Sequence, residues 1–143
     1  MVPDALQPFV TASKEERGET TVEVAAGNLI AALRVLRTEL RYERLSTVTA
    51  VDRYPGSPRF ELVYHLQSVS RNERLRLKCR LSGDNPEIES ATAVWRSANW
   101  YEREVFDLFG IRFLNHPNLR RIMMPEEWEG HPLRKDYPVT GYK

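Results

Sequence analysis

Apolar and charged residues alternate without a break from Arg74 to Leu81, where three leucines and one cysteine separate four basic residues. A period of two places the apolar side chains on one face of a sheet and the cations on the other. Residues 20–24, 45–51 and 59–66 have strand-like composition and predict three more strands. The strands over residues 45–51, 59–66 and 74–81 are expected to form an antiparallel meander with one solvated face.

Two other segments have apolar residues at helical spacing. The first is a stripe that an amphipathic helix would bury, and it consists of Leu29, Ile30, Leu33, Leu36 and Leu40. The second, residues 91–109, predicts two helices that divide at Asn99. Asn99 and Glu102 form an approximate capping box, and Gly110 is suited to end the second helix. The order β-α-β-β-β-α-α predicts an α+β fold, an antiparallel or mixed sheet of about four strands with helices packed on one face.

The C-terminal segment differs from the rest because prolines recur along it. Pro117, Pro125, Pro132 and Pro138 interrupt a basic and apolar sequence, so neither a long helix nor a central strand is expected there. Its apolar side chains are therefore predicted to contact another protein. We expect an α+β domain over residues 1–113, with residues 1–18 as a loosely ordered lead-in or short helix, and an extended docking arm over residues 114–143.

Composition limits the possible functions. The 143 residues suit one domain, and 21 basic against 20 acidic side chains leave a net charge of +1, too little to attract nucleic acid or anionic lipid over a distance. The single cysteine excludes an internal disulfide and a cluster held by four thiolates of this chain. Neither a secretory signal nor an apolar stretch of ~20 residues is present in the sequence, so we expect a soluble protein that contacts a membrane only through a partner.

Acidic residues cluster at Glu102, Glu104 and Asp107, with Arg103 between them. Arg103 and Asp107 are four positions apart and are predicted to pair on one helix face, while Glu102 and Glu104 point to different sides. A structural or interfacial charge network is therefore favoured over acid–base catalysis.

Other candidate sites are weaker. His65, His116 and His131 lack the spacing of a metal site, and the seven glycines form no phosphate-binding motif. The basic row from Arg74 to Arg80 would suit an RNA-binding module, but no aromatic residues interleave with it, so a solvated sheet face is favoured.

Three runs of sequence together resemble the 30 kDa (C-type) subunit family of complex I, the type I NADH dehydrogenase or NADH:quinone oxidoreductase. They are ANWYEREVFDLFGI from Ala98, HPNLRRIMMP from His116 and WEGHPLRKDYP from Trp128. The signature of the family is matched by Glu102, Arg103, Glu104, Asp107, Leu108, Phe109, His116, Arg120, Ile122 and Met123.

The resemblance implies a subunit without redox centres in the hydrophilic arm of a proton-translocating complex of the respiratory electron-transport chain. Its expected neighbours are the large quinone-site (D-type) subunit and the cluster-bearing (B-type) subunit, with the I-type subunit as a further candidate. Nucleic acid is not expected as a partner. Iron–sulfur clusters, FMN and quinone would belong to partner subunits, so this chain would be non-catalytic by itself and hold no metal or cofactor. The complex would lie at the cytoplasmic face of the cell membrane, or at the matrix or stromal equivalent.

The resemblance also implies a set of partner-interface residues. They are Glu102, Arg103, Glu104, Asp107, Phe109, Gly110, His116, Arg120, Arg121, Met123, Pro125, Trp128, His131, Pro132, Leu133, Arg134, Asp136, Tyr137 and Pro138. The alternative is the equivalent subunit of a membrane-bound hydrogenase or of a ferredoxin- or deazaflavin-dependent quinone or phenazine oxidoreductase.

Overall fold

A five-stranded sheet forms the centre of the structure, a computed structural model that describes residues 2–56, 58–83, 86–125 and 127–138. Its strands are β1 (Val10–Glu16), β2 (Glu19–Val24), β3 (Arg44–Asp52), β4 (Phe60–Ser68) and β5 (Glu73–Leu81). Their spatial order is β1-β2-β5-β4-β3. β3, β4 and β5 form the predicted antiparallel meander, whereas β2 and β5 are parallel, so the sheet is mixed.

Two helices cover one face of this sheet. They are α1 (Leu29–Thr38) and α2 (Ala98–Phe109). Leu33 of α1, Val105 of α2 and Leu77 of β5 belong to the same buried cluster. The alternation in β5 is confirmed, because its three leucines and Cys79 are all buried while the basic residues between them face the other side. The predicted α+β class, with helices on one face of a mixed sheet, is therefore confirmed.

Several short elements differ from the prediction. The lead-in contains β1, which the sequence pattern did not reveal because all its residues after Val10 are exposed and the strand forms through backbone pairing with β2. The first of the two helices predicted over residues 91–109 is only a 3-10 turn, Ala91–Ala93. β6 (Glu87–Glu89) and β7 (Arg112–Leu114) pair in parallel as a second small sheet, and three residues are too few to show a period.

The ends of α2 were predicted with unequal success. The helix begins at Ala98, and no side chain caps its start, so the capping box of Asn99 and Glu102 is wrong. Gly110 follows the last turn in the left-handed conformation, with φ +78°, as predicted. The division of the chain at residue 113 stays a prediction, as does the extended form of the arm, whose residues 139–143 lie outside the described part of the chain.

We expect Leu77→Ala to lower the free energy of unfolding by about 3 kcal/mol, because it leaves a cavity among fully buried side chains. Urea denaturation of the purified chain measures this change. Val69→Ala is the control, since Val69 is 61% exposed and its truncation should have little effect. Equal losses in both variants would contradict the proposed core.

Candidate functional site

The carboxylate of Asp107, near the end of α2, is fully buried and binds the C-terminal segment. Its Oδ1 accepts a hydrogen bond from Nε of Arg121 at 2.5 Å. Its Oδ2 accepts from three consecutive backbone N–H groups, those of Ile122 (3.1 Å), Met123 (2.7 Å) and Met124 (2.9 Å). Burial by itself would raise the pKa of Asp107, but these donors hold it below its ordinary value. The buried charge is thus compensated almost entirely by residues 121–124.

The guanidinium group of Arg121 continues this connection to later residues. Besides the carboxylate of Asp107, it donates to the backbone carbonyl of the same residue at 3.1 Å. It also donates to the carbonyls of Trp128 and Gly130, both at 2.6 Å. One side chain therefore joins the end of α2 to both sides of the Trp128–Gly130 turn.

All four of the last carbonyls of α2 accept hydrogen bonds, and every donor except the N–H of Gly110 comes from the C-terminal segment. Phe106 accepts from the N–H of Gly110 (2.8 Å), Asp107 from Nδ1 of His131 (2.9 Å), Leu108 from the N–H of Leu133 (2.9 Å) and Phe109 from Nε of Arg134 (2.5 Å). The last carbonyls of a helix normally have no hydrogen-bond partner within the helix itself. The cations Arg121 and Arg134 also complement the negative end of the helix dipole.

Gly110 allows this close approach. A Cβ atom at this position would lie 2.6 Å from Cδ2 of His131 and 2.7 Å from Nη2 of Arg134. Its positive φ also disfavours other residues. Glycine is therefore required both by the backbone turn and by the two side chains that pack on it.

A second ionic cluster holds the next part of the segment. Arg59 binds Asp52 through two hydrogen bonds of 2.9 Å and donates from Nη2 to Asp136 at 2.7 Å. Asp52 also accepts the N–H of Lys135 at 2.8 Å. Burial opposes ionisation of Asp52, but the hydrogen bonds from Arg59, Lys135 and Tyr54 lower its pKa to about 2. The β3–β4 connection and residues 135–136 are thus joined through the buried ion pair of Arg59 and Asp52.

Glu102 lies on the inner side of α2 and is fully buried. It accepts hydrogen bonds from Oγ of Ser90 (2.6 Å) and from the N–H of Ala91 (2.7 Å), at the start of the 3-10 turn. Burial raises the pKa of Glu102 to about 7, although both hydrogen bonds act in the opposite direction. This carboxyl group fixes the turn to α2.

His116 occupies a defined tautomer beside Glu102. Its Nδ1 accepts the N–H of Asn118 at 3.0 Å, so the ring proton lies on Nε2, which donates to the carbonyl of Asn99 at 3.1 Å. Burial lowers the pKa of His116, and the nearby charge of Arg103 acts in the same direction. The neutral imidazole therefore connects the residues after β7 to the first turn of α2.

The predicted pair of Arg103 and Asp107 is wrong. Nε of Arg103 instead contacts the carbonyl of Arg120 at 3.4 Å, and its guanidinium carbon lies 5.5 Å from the ring centre of Trp100. Arg121 reaches Asp107 from a distant part of the chain and takes the position that the helical spacing had assigned to Arg103.

The remaining predicted site residues divide into two groups. One group lies in the C-terminal segment or at the end of α2 that the segment contacts: Phe109, Gly110, Arg121, Met123, Trp128, His131, Leu133, Arg134, Asp136 and Tyr137. Within this group, Nε1 of Trp128 donates to the hydroxyl of Tyr137 at 3.0 Å. In the other group, the side chains of Glu104 and Arg120 form no hydrogen bond or ion pair with any described residue, and Pro125, Pro132 and Pro138 have no polar side-chain atoms. The role of both groups at an interface stays a prediction.

Sequence reasoning missed Asp52, Arg59 and Ser90, each of which binds one of the predicted residues or its neighbour. None of them belongs to a motif, and their partners are distant in sequence. No local signal was available to identify them.

Apolar side chains remain on the outside of this arrangement. Trp100 and Met123 are each 55% exposed, Leu133 is 52% exposed and Trp128 is 41% exposed. Several polar groups of the segment, among them the guanidinium groups of Arg121 and Arg134, bind the domain, while several large apolar side chains point to solvent. Such side chains, next to arginine, are typical of the centre of a protein–protein interface.

The described ranges contain neither a metal-binding cluster nor a membrane-spanning helix. Within them, His, Cys, Asp and Glu side chains form no group of three or more that would suit a metal ion. The same part of the chain has no helix that is both long and apolar enough to cross a membrane.

Comparisons with known proteins agree on one family. Residues 22–143 match the model of the family described as respiratory-chain NADH dehydrogenase, 30 kDa subunit. The C-type subunit of NADH-quinone oxidoreductase from Citrifermentans bemidjiense is 54% identical over 127 residues, which cover 89% of this chain and 79% of the relative. The corresponding subunit of Geotalea uraniireducens is 50% identical, with 90% and 78% covered.

Two solved structures are similar in fold and in sequence. A trypsin-resistant fragment of Nqo5 has a TM-score of 0.69 at 27% identity, and the match covers 79% of this chain and 91% of the fragment. A chain of the membrane-bound sulfane sulfur reductase, an archaeal respiratory membrane complex, has a TM-score of 0.83 at 27% identity, with 94% and 82% covered.

We expect Asp107→Asn to lower the free energy of unfolding by about 3 kcal/mol or more, because Arg121 loses its counter-charge and the three backbone donors lose a strong acceptor. Urea denaturation tests this. Glu104→Gln in the same helix is the matched control, and unchanged stability is expected. A small effect of both substitutions would show that the Asp107 contacts do not stabilise the fold.

Glu102→Gln should change how stability depends on pH. The folded-state pKa of about 7 lies above the ordinary value near 4.5, so the contribution of Glu102 is fully present below pH 4.5 and is lost as pH rises through 7. Between pH 5.5 and pH 8, the variant should therefore gain about 2 kcal/mol relative to the wild type. His116 and His131 have lowered pKa values, so their contributions to stability increase with pH and oppose that of Glu102. Both proteins share these contributions, and they cancel when the unfolding free energy of the wild type is subtracted from that of the variant at each pH. A constant difference across this range would refute the raised pKa.

Proposed function

The chain belongs to the family of respiratory-chain NADH dehydrogenase 30 kDa subunits, and we propose that it is a docking subunit without redox centres in the hydrophilic arm of an NADH:quinone oxidoreductase. The observation that carries this proposal is the arrangement of the C-terminal segment on α2. Its charged and backbone groups bind the domain, while Trp100, Met123, Trp128 and Leu133 present apolar area to solvent. A partly apolar surface whose backbone is held by such hydrogen bonds is suited to bind another protein with little loss of conformational entropy.

The docking surface includes the exposed side of α2 near its first turns. Arg103 stacks over Trp100 and contacts the backbone of Arg120, which brings two arginines and one tryptophan together. The segment that begins at Arg120 continues to Met123 beside Asp107. Tryptophan and arginine are among the residues most often found to contribute strongly to protein–protein binding.

The partners that we propose are the quinone-site (D-type) subunit and the cluster-bearing (B-type) subunit, with the I-type subunit as a further candidate. Electrons would pass from NADH to quinone through FMN and iron–sulfur clusters in those and other subunits. The single cysteine of this chain and the lack of a dinucleotide-binding glycine motif support a role without a cofactor. The chain would lie on the cytoplasmic face of the membrane, or its equivalent, through the complex.

A second candidate is the corresponding subunit of a respiratory membrane complex that does not oxidise NADH. The similarity in fold to a chain of the archaeal sulfane sulfur reductase supports this alternative. The identity of about half of the residues with NADH-quinone oxidoreductase relatives favours the first candidate. The alternatives differ in the electron-input subunits of the complex.

Affinity capture from gently solubilised membranes tests the proposal. The tagged chain should co-purify with iron–sulfur and quinone-site subunits, and with an NADH-oxidising flavoprotein. Recovery of the first two without the flavoprotein would favour the second candidate. Recovery of the chain by itself, from membranes that contain a complete complex without it, would refute both.

The double variant Trp100→Ala/Arg103→Ala should reduce co-purification of partner subunits by at least about tenfold, because it removes two of the strongest types of interface contact. Neither side chain is buried in the core, so the unfolding free energy should change little. Val69→Ala/Arg37→Ala is the control, with one apolar and one basic residue exposed elsewhere. Full capture by the first variant would exclude this part of α2 from the docking surface.

A further inference from the structure

A groove of about 450 Å³ crosses the face of the sheet opposite α1 and α2. It lies where β3, β4 and β5 run side by side. Two rows of paired positions cross it: Arg44, Gln67 and Arg74 form one, and Thr47, His65 and Arg76 form the other. The groove therefore presents guanidinium, amide, hydroxyl and imidazole groups together.

The positive charge of this face is compensated more fully at one end than within the groove. Away from the groove, Arg80 pairs with Glu23 at 2.7 Å, and Lys78 lies 3.4 Å from the buried carboxylate of Glu61. Within the groove the one acidic side chain among the described lining residues is Glu19, which pairs with Arg76 at 3.4 Å. The excess of cations is thus local, although the net charge of the whole chain is only +1.

Arg44 and Arg74 are the other two cations that line the groove. Both are exposed, and neither forms an ion pair with any residue in the described part of the chain. They are two strands apart, which separates their backbones by about 10 Å. This spacing suits a ligand with more than one negative group.

His65 lies at the centre of the second row and is half-buried. Burial lowers its pKa, the adjacent Arg76 lowers it further, and Glu19 acts in the opposite direction. An anion in the groove would favour the protonated imidazole and raise this pKa. His65 therefore provides an internal reporter of anion binding.

We propose that this groove binds an acidic segment of a partner polypeptide. Guanidinium groups form paired hydrogen bonds with carboxylates, and the amide and hydroxyl groups of Gln67 and Thr47 can bind a peptide backbone. Phe, Tyr and Trp are missing from the described lining, so stacking of nucleic-acid bases has no support here. The apolar lining residues Leu66 and Leu75 are buried, so their side chains are not available to insert into a lipid membrane.

The groove is separate from the docking surface on α2, because it is on the opposite face of the sheet. Failure of one proposal therefore leaves the other intact. The two surfaces would let one small domain contact different chains.

The test uses the full chain and a hexaglutamate peptide at low ionic strength. Nuclear magnetic resonance should show that the peptide raises the pKa of His65, while His116 and His131 serve as internal references elsewhere in the fold. Arg44→Gln/Arg74→Gln should weaken binding by about tenfold. Arg34→Gln/Arg37→Gln removes two exposed cations of α1 and should bind like the wild type.

Four results would overturn the proposal. The first is an unchanged His65 pKa at saturating peptide, and the second is equal weakening by the two double variants, which would indicate attraction by net charge. Inorganic phosphate that binds as tightly as the peptide would indicate a small-anion site. Tighter binding of single-stranded RNA than of the peptide would indicate a nucleic-acid surface.

Discussion

The buried carboxylate of Asp107 is the constraint on which the candidate site depends. A charge removed from water needs several close donors, and α2 by itself cannot supply them. Arg121 and three successive backbone N–H groups meet this requirement, and they do so only if the chain returns to the end of the helix. Gly110 allows that return because no Cβ atom blocks His131 or Arg134.

The same requirement explains how a proline-rich segment can be well defined without a helix or strand of its own. Backbone N–H groups of a regular element bind carbonyls of the same helix or sheet, whereas backbone and side-chain donors of this segment bind the last carbonyls of α2. Arg59 and Asp52 then hold residues 135–136. Since these contacts hold the segment through polar groups, its exposed apolar side chains are available to a partner, which supports a docking role.

The two faces of the domain have different chemistry. On the helix side, the buried carboxyl groups of Glu102 and Asp107 connect separate elements through hydrogen bonds. On the opposite face, Arg44 and Arg74 have no acidic partner among the described residues. A domain with an apolar, arginine-containing surface on one side and a basic groove on the other is suited to join several chains.

Local patterns in the sequence determined the main elements. The alternation from Arg74 to Leu81 predicts β5 and its buried face, and the glycine after Phe109 predicts the end of α2, because side-chain periodicity and backbone conformation are local properties. β1 escaped prediction because its pairing with β2 satisfies backbone groups whatever side chains it carries. The runs around Glu102, His116 and Trp128 identified the family without any knowledge of the fold.

Only the tertiary structure decided which charges meet. Helical spacing favoured Arg103 as the partner of Asp107, but Arg121 approaches from fourteen residues away and forms the closer contact. Asp52 meets the backbone of Lys135 across 83 positions. Such pairs depend on how strands and loops are arranged in space, and a carboxylate accepts any donor that the fold brings near. The sequence therefore determined the longer central elements and the family, while the three-dimensional path of the chain determined the site.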